Sequence, residues 1–92
     1  MIRYCIAIVD DEETIRDSLQ MILCQDFDIS CFGDAESFLL SLETSSPDLV
    51  LMDIGLPVMS GIEALEIAKK KIPDLPIIMI TAFEEIQMVI RS

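Results

Sequence analysis

The side chains best suited to chemistry in this sequence are three carboxylates and a hydroxyl: the Asp10-Asp11 pair, Asp53 and Thr81. Each follows a short apolar run, residues 4–9 before the pair, 49–52 before Asp53 and 76–80 before Thr81. The chain has no histidine, and Cys5, Cys24 and Cys31 form no C-x-x-C pattern. A metal held by such hard oxygen ligands would be Mg2+ (or Mn2+) rather than Zn2+. Without histidine there is also no Ser-His or Cys-His nucleophile pair, no histidine metal ligand and no phosphohistidine carrier. What remains is an activated carboxylate. Held against a divalent cation, an aspartate attacks a phosphoryl group and forms an aspartyl phosphate, while a threonine hydroxyl within reach hydrogen-bonds a phosphoryl oxygen. Gly33, Gly55 and Gly61 make neither a P-loop nor a G-x-G-x-x-G pattern, which disfavours nucleotide binding.

Each of these residues has a plainer use. Asp11 beside Glu12 suits the capped start of a helix, Asp53 suits the opening of a loop, and Thr81 suits a helix cap. Convergence shifts the balance. Two carboxylates about 5 Å apart repel by roughly 3 kcal/mol at an effective dielectric of about 20, so a cluster of three is costly unless a cation offsets it. Helix caps alone would not select that arrangement.

Convergence requires elements that carry the acids to one place. Residues 4–9 read as a strand covered on both faces. Ile15, Leu19, Ile22 and Leu23 then recur as one helical stripe. Residues 27–31 alternate apolar and polar, as a half-exposed edge strand does. Phe38, Leu39 and Leu42 mark a short helix that ends in the polar residues 44–47. Residues 49–52 are a third strand. After a loop over 54–60, Ile62, Leu65, Ala68 and Ile72 share a helical face that Pro73 closes. Residues 76–80 are a fourth strand, and Ile86, Val89 and Ile90 lie on one face of a last helix. Such alternation predicts an α/β fold, a doubly wound parallel sheet with helices on both sides. Ligands in such sheets bind outside the carboxyl ends of the strands, where Asp10, Asp11, Asp53 and Thr81 would meet. The first, third and fourth strands read as interior. An interior fourth strand calls for a neighbour, so the sequence reads as cut off before a fifth strand and helix.

Composition bounds the rest. Ninety-two residues predict one domain, residues 1–92. Seventeen acidic against six basic residues give a net charge of −11, which repels phosphate backbones and argues against direct nucleic-acid binding. A hydrophobic content of 52% excludes a disordered acidic tail, and no apolar run is long enough to span a bilayer. Nothing marks export. The odd, scattered cysteines predict reduced, buried thiols in a cytoplasmic protein.

Ile8-Val9-Asp10-Asp11-Glu12, then Leu51-Met52-Asp53-Ile54-Gly55-Leu56-Pro57-Val58-Met59-Ser60-Gly61, then Ile78-Met79-Ile80-Thr81-Ala82 strongly resemble the receiver domain of bacterial response regulators. The D-x-x-L-P-x-M-x-G string is the specific part, and the resemblance covers the whole chain, with the three motifs in order and suitably spaced. The resemblance implies a flavodoxin-like receiver with strand order 2-1-3-4, the fifth strand and helix missing. It implies Asp53 as phosphoacceptor and Asp10, Asp11, Asp53 and the Gly55 backbone carbonyl as Mg2+ ligands. Thr81 would be the switch hydroxyl, small Ala82 would leave the phosphoryl group room, and Gly55 and Phe83 would line the water's approach and tune dephosphorylation. The implied partners are a sensor histidine kinase and a downstream output domain, DNA-binding in many receivers. Such a chain is a phosphoacceptor that promotes its own phosphorylation and dephosphorylation rather than an enzyme. Receivers also carry, on the fifth strand, a switch aromatic and a lysine that pairs with the phosphoryl group, and this sequence contains neither. Lys69, Lys70 and Lys71 end the third helix, far from the acids, and are no substitute.

The sequence supports a second reading of another class, an incomplete receiver acting as a protein-interaction module. Its apolar fourth strand and last helix would pair two copies into a homodimer, by exchange of that helix.

Overall fold

A computed structural model of the chain describes residues 2–80. Its elements are β1 (Cys5–Val9), α1 (Glu13–Leu23), β2 (Asp28–Phe32), α2 (Ala35–Ser41), β3 (Leu49–Asp53), α3 (Gly61–Lys71) and β4 (Ile77–Ile80). The four strands form one parallel sheet in the order β2-β1-β3-β4, as expected. The chain leaves β1 in one direction to reach β2, then reverses to reach β3 and β4. Right-handed crossovers therefore put α1 on one face and α2 and α3 on the other.

Strand residues alternate between those faces. Ala7 and Val9 of β1 and Val50 and Met52 of β3 turn toward α2 and α3, forming the core with Phe38, Leu39, Ala64 and Ala68. Phe32 joins them edge-on to Phe38, with ring centroids 5.7 Å apart. In the other direction Ile8 lies opposite Leu51, and Leu51 opposite Ile78, on the face that α1 crosses. Both helices of the sealed face carry side-chain caps. The Ser37 N–H donates to Asp34 Oδ1 at 2.6 Å at the start of α2, and the Glu63 N–H donates to Ser60 Oγ at 3.2 Å at the start of α3. At the far end of α3, Lys69 Nζ donates to the Leu75 carbonyl (2.6 Å) and the Pro73 carbonyl (3.2 Å). Lys69 thus ties the end of α3 to the turn that leads into β4.

Three expectations change. The cysteines are free but exposed, not buried: Cys5 is the outer end of β1, Cys24 sits at the C-cap of α1, and Cys31 is on an edge strand. Helix α1 follows its predicted stripe yet has no buried residue. In α3 the buried line runs through Gly61, Ala64 and Ala68 while Ile62 is exposed. Small residues let the helix approach the sheet closely, so they, rather than the bulkier Ile62, face inward. β4 is the outermost strand on its side among the described residues, in keeping with the expected order 2-1-3-4, and Ile78 is 53% exposed. The predicted last helix lies outside the described residues. Among those residues, no helix is long and apolar enough to cross a membrane.

Candidate functional site

β1 and β3 are adjacent and parallel, so their carboxyl ends open onto the same edge of the sheet. Asp10 follows Val9 at the end of β1, and Asp53 is the last residue of β3. Val9 and Met52, which precede the two acids, are wholly buried, so each carboxylate is carried on a strand end fixed by the core. Asp10, Asp11 and Asp53 each offer a carboxylate oxygen, and these oxygens lie within 4.8 Å of one another. Asp10 is buried, Asp53 half-buried and Asp11 exposed. The three acids thus run from buried to exposed across one edge of the sheet.

The backbone around the acids is tightly held. The Asp10 N–H donates to the Phe32 carbonyl at 3.0 Å, and Asp10 Oδ1 accepts the Glu12 N–H at 2.9 Å. The residue in the N-cap position of α1 is Glu12, which makes no side-chain cap bond. The helix-capping use foreseen for Asp11 is therefore not what α1 adopts. A buried carboxylate must be hydrogen-bonded or paired to be tolerated, and the Glu12 amide meets part of that need. Arg16 Nη1 donates to the Asp10 backbone carbonyl at 2.7 Å, bringing a cation beside the acids. Sequence spacing gave no sign of this, because a single arginine on a helix reads as solvent-facing.

At Asp53 the loop-opening use is realised alongside the cluster: the Gly55 N–H donates to Asp53 Oδ1 at 3.1 Å. Gly61 is required by close approach. A Cβ there would overlap the Asp53 carbonyl oxygen and crowd Ile54, while the Gly61 N–H donates to the Ile54 carbonyl at 3.0 Å. The start of α3 is thereby pressed against the Asp53 peptide. Gly55 has no positive φ, so its conformation does not demand glycine. Thr81, Ala82 and Phe83 lie outside the described residues.

The donor set is all oxygen, and three carboxylates converge, so the residues present fit a hard divalent cation. Partial burial pushes the Cys31 thiol above its ordinary value, against the pull of Arg16. The ion pairs Arg3–Asp28 (2.9 Å) and Lys71–Glu43 (3.8 Å) lie toward the opposite end of the sheet.

The family model described as "response regulator receiver domain" matches residues 6–92. The transcriptional regulatory protein YhcZ of Bacillus subtilis, itself uncharacterised, is 38% identical over 90 residues, which are 95% of this chain and 42% of that protein. The chain thus spans about two fifths of the length of this relative. A CheY-like receiver domain from Methanospirillum hungatei superposes with a TM-score of 0.83 at 33% identity, covering 98% of this chain and 75% of that one. The response regulator TrrA of Thermotoga maritima, solved in complex with Mg(2+)-BeF, has a TM-score of 0.83 at 34% identity, covering 89% of this chain and 72% of that one.

Proposed function

The chain belongs to the response regulator receiver domain family of two-component systems, and from that premise we propose that it is a phosphorylation switch whose phosphoacceptor is Asp53. The observation that carries this reading is the convergence of the Asp10, Asp11 and Asp53 oxygens within 4.8 Å at the carboxyl ends of β1 and β3. Asp10, Asp11, Asp53 and the Gly55 carbonyl hold Mg2+ (or Mn2+). A bound cation supplies the positive charge that offsets three clustered carboxylates and the oxygens of an incoming phosphoryl group. TrrA, solved with Mg(2+)-BeF, lends this assignment support.

The phosphoryl donor is a phosphohistidine of a sensor histidine kinase, since these 92 residues contain no histidine of their own. In the transfer an Asp53 carboxylate oxygen forms the new O–P bond while the donor's N–P bond breaks. The departing imidazole nitrogen keeps that electron pair. The Gly55 N–H fixes the Asp53 carboxyl rotamer, and Gly61 fixes the backbone that carries it. Thr81 is the hydroxyl that meets a phosphoryl oxygen, Ala82 leaves it space, and Gly55 and Phe83 flank the path of hydrolytic water. Moving Thr81 inward biases a two-state equilibrium that a downstream output domain reads. By kinship with transcriptional regulators such as YhcZ, that output is transcription, and its compartment is the cytoplasm.

Intact-mass measurement after incubation with acetyl phosphate, with and without Mg2+, tests the reading. Wild type gains one phosphoryl group only with Mg2+, and Asp53→Asn gains none. Incorporation that persists in Asp53→Asn would move the acceptor elsewhere.

A further inference from the structure

Val58 stands in the middle of the loop from Asp53 to α3 with φ of 65°, and its side chain is 96% exposed. A β-branched residue is poorly suited to the left-handed region, and a side chain in solvent gains no packing that would offset the strain. The conformation is imposed from both ends of the loop. On the strand side, the Ile54 N–H donates to the Ile80 carbonyl at 3.0 Å, and Leu56 is buried in the core. On the helix side, Ser60 caps α3, and Gly61 is bonded to Ile54 with no room for a Cβ above Asp53. With both ends fixed, Val58 absorbs the turn.

We propose that Val58 is a positioning residue whose strained backbone weakens the hold of the Asp53 loop on its cation-binding shape. The proposal rests on the reading of Asp10, Asp11, Asp53 and Gly55 as the Mg2+ site. Gly55 is three residues before Val58, and its N–H is bonded to Asp53 Oδ1, so one loop shape sets both the Gly55 carbonyl and the Asp53 carboxylate. Strain at residue 58 raises that shape relative to others in which the residue returns to an ordinary region. Apparent cation affinity falls in proportion to the fraction of molecules in the competent shape. Asparagine tolerates the left-handed region far better than valine, whereas alanine does not. The distinction separates backbone strain from loss of the valine side chain.

Calorimetric Mg2+ titration of wild type, Val58→Asn, Val58→Ala and Asp11→Asn, with thermal unfolding of each in EDTA, decides the matter. Val58→Asn is expected to bind Mg2+ roughly three- to tenfold more tightly than wild type and to melt higher without metal, with Val58→Ala within about twofold of wild type. Unchanged or weaker binding by Val58→Asn, while Asp11→Asn abolishes binding to an otherwise competent wild type, overturns the role of Val58 and leaves the acidic site standing. A wild type that binds no Mg2+ takes both readings down.

Discussion

On the α2–α3 side of the sheet, Ala7, Val9, Val50 and Met52 are sealed beneath Phe38, Leu39, Ala64 and Ala68. On the α1 side, the helix contributes no buried residue, and Ile15, Ile22 and Ile78 remain exposed. The helix ends divide the same way. α2 and α3 have side-chain caps from Asp34 and Ser60, whereas Glu12 of α1 makes none. α1 is held instead by its ends. Arg3 donates to the carbonyls of Cys24 (2.9 Å), Gln25 (3.3 Å) and Phe27 (2.9 Å) beyond its C-terminus, and Arg16 anchors its first turn to Asp10. A chain this short has little core to distribute, and here it is concentrated behind the two strands that carry Asp10 and Asp53. The acidic cluster therefore has a rigid back, while the α1 side depends on polar anchors at the edge of the same site.

The largest effect expected from this contrast is at Phe38, which is fully buried. Phe38→Ala should cost about 3–5 kcal/mol, a large part of the roughly 5–15 kcal/mol that holds a domain together. Urea unfolding followed by far-UV circular dichroism would measure it. A loss below about 1 kcal/mol would mean that the α2–α3 face is not the main store of stability.

The next effect separates a capped helix from an uncapped one through pH. The Ser37 N–H holds the Asp34 carboxyl below its ordinary value of 3.8. A carboxyl whose pKa is depressed on folding contributes stability above the unfolded value, and that contribution is lost as pH falls through the folded one. Asp34→Ala should therefore lower the melting temperature at pH 7, and the difference from wild type should shrink on acidification below about pH 4. Glu12→Ala should show no comparable convergence, since Glu12 makes no cap bond. Parallel melting curves at pH 7 and pH 3 check both. A gap that stays constant for Asp34→Ala would remove the charged cap from the account.

The contrast between faces also separates what the sequence made legible from what it did not. Apolar runs ending in Asp10 and Asp53, with alternating helices, were enough for a doubly wound parallel sheet and for the meeting of three carboxylates, because right-handed crossovers leave few alternatives. The strand order 2-1-3-4 came instead from the resemblance of the motifs to receiver domains. Burial was harder to read. Periodicity shows that Ile15, Leu19, Ile22 and Leu23 share a stripe, but it does not show whether a second element covers that stripe. The same limit explains the cysteines, whose exposure follows from strand-end, helix-end and edge positions. Ala64 and Ala68 displaced Ile62 from the inner line of α3 because close packing favours small side chains. Arg3, Arg16 and the strained Val58 left no periodic signal, since their roles depend on backbone carbonyls and dihedral angles rather than on side-chain spacing.

The smallest expected effect is the sharpest test of the exposed side. Ile22 lies on the apolar stripe of α1 but is 68% exposed, so little hydrophobic area is lost when it is shortened. Ile22→Ala should change stability by no more than about 0.5 kcal/mol, as for a surface substitution, and alanine's higher helix propensity offsets part of even that. The comparison with Phe38→Ala is then several-fold between two apolar residues on opposite faces of one sheet. Urea unfolding at a low and a tenfold higher protein concentration makes the measurement discriminating. A loss near 2 kcal/mol at both concentrations would mean that Ile22 is covered within the chain, and the two faces would no longer differ as described. A loss that grows with concentration would instead place the cover in a second copy, making the α1 side an interface whose burial depends on association.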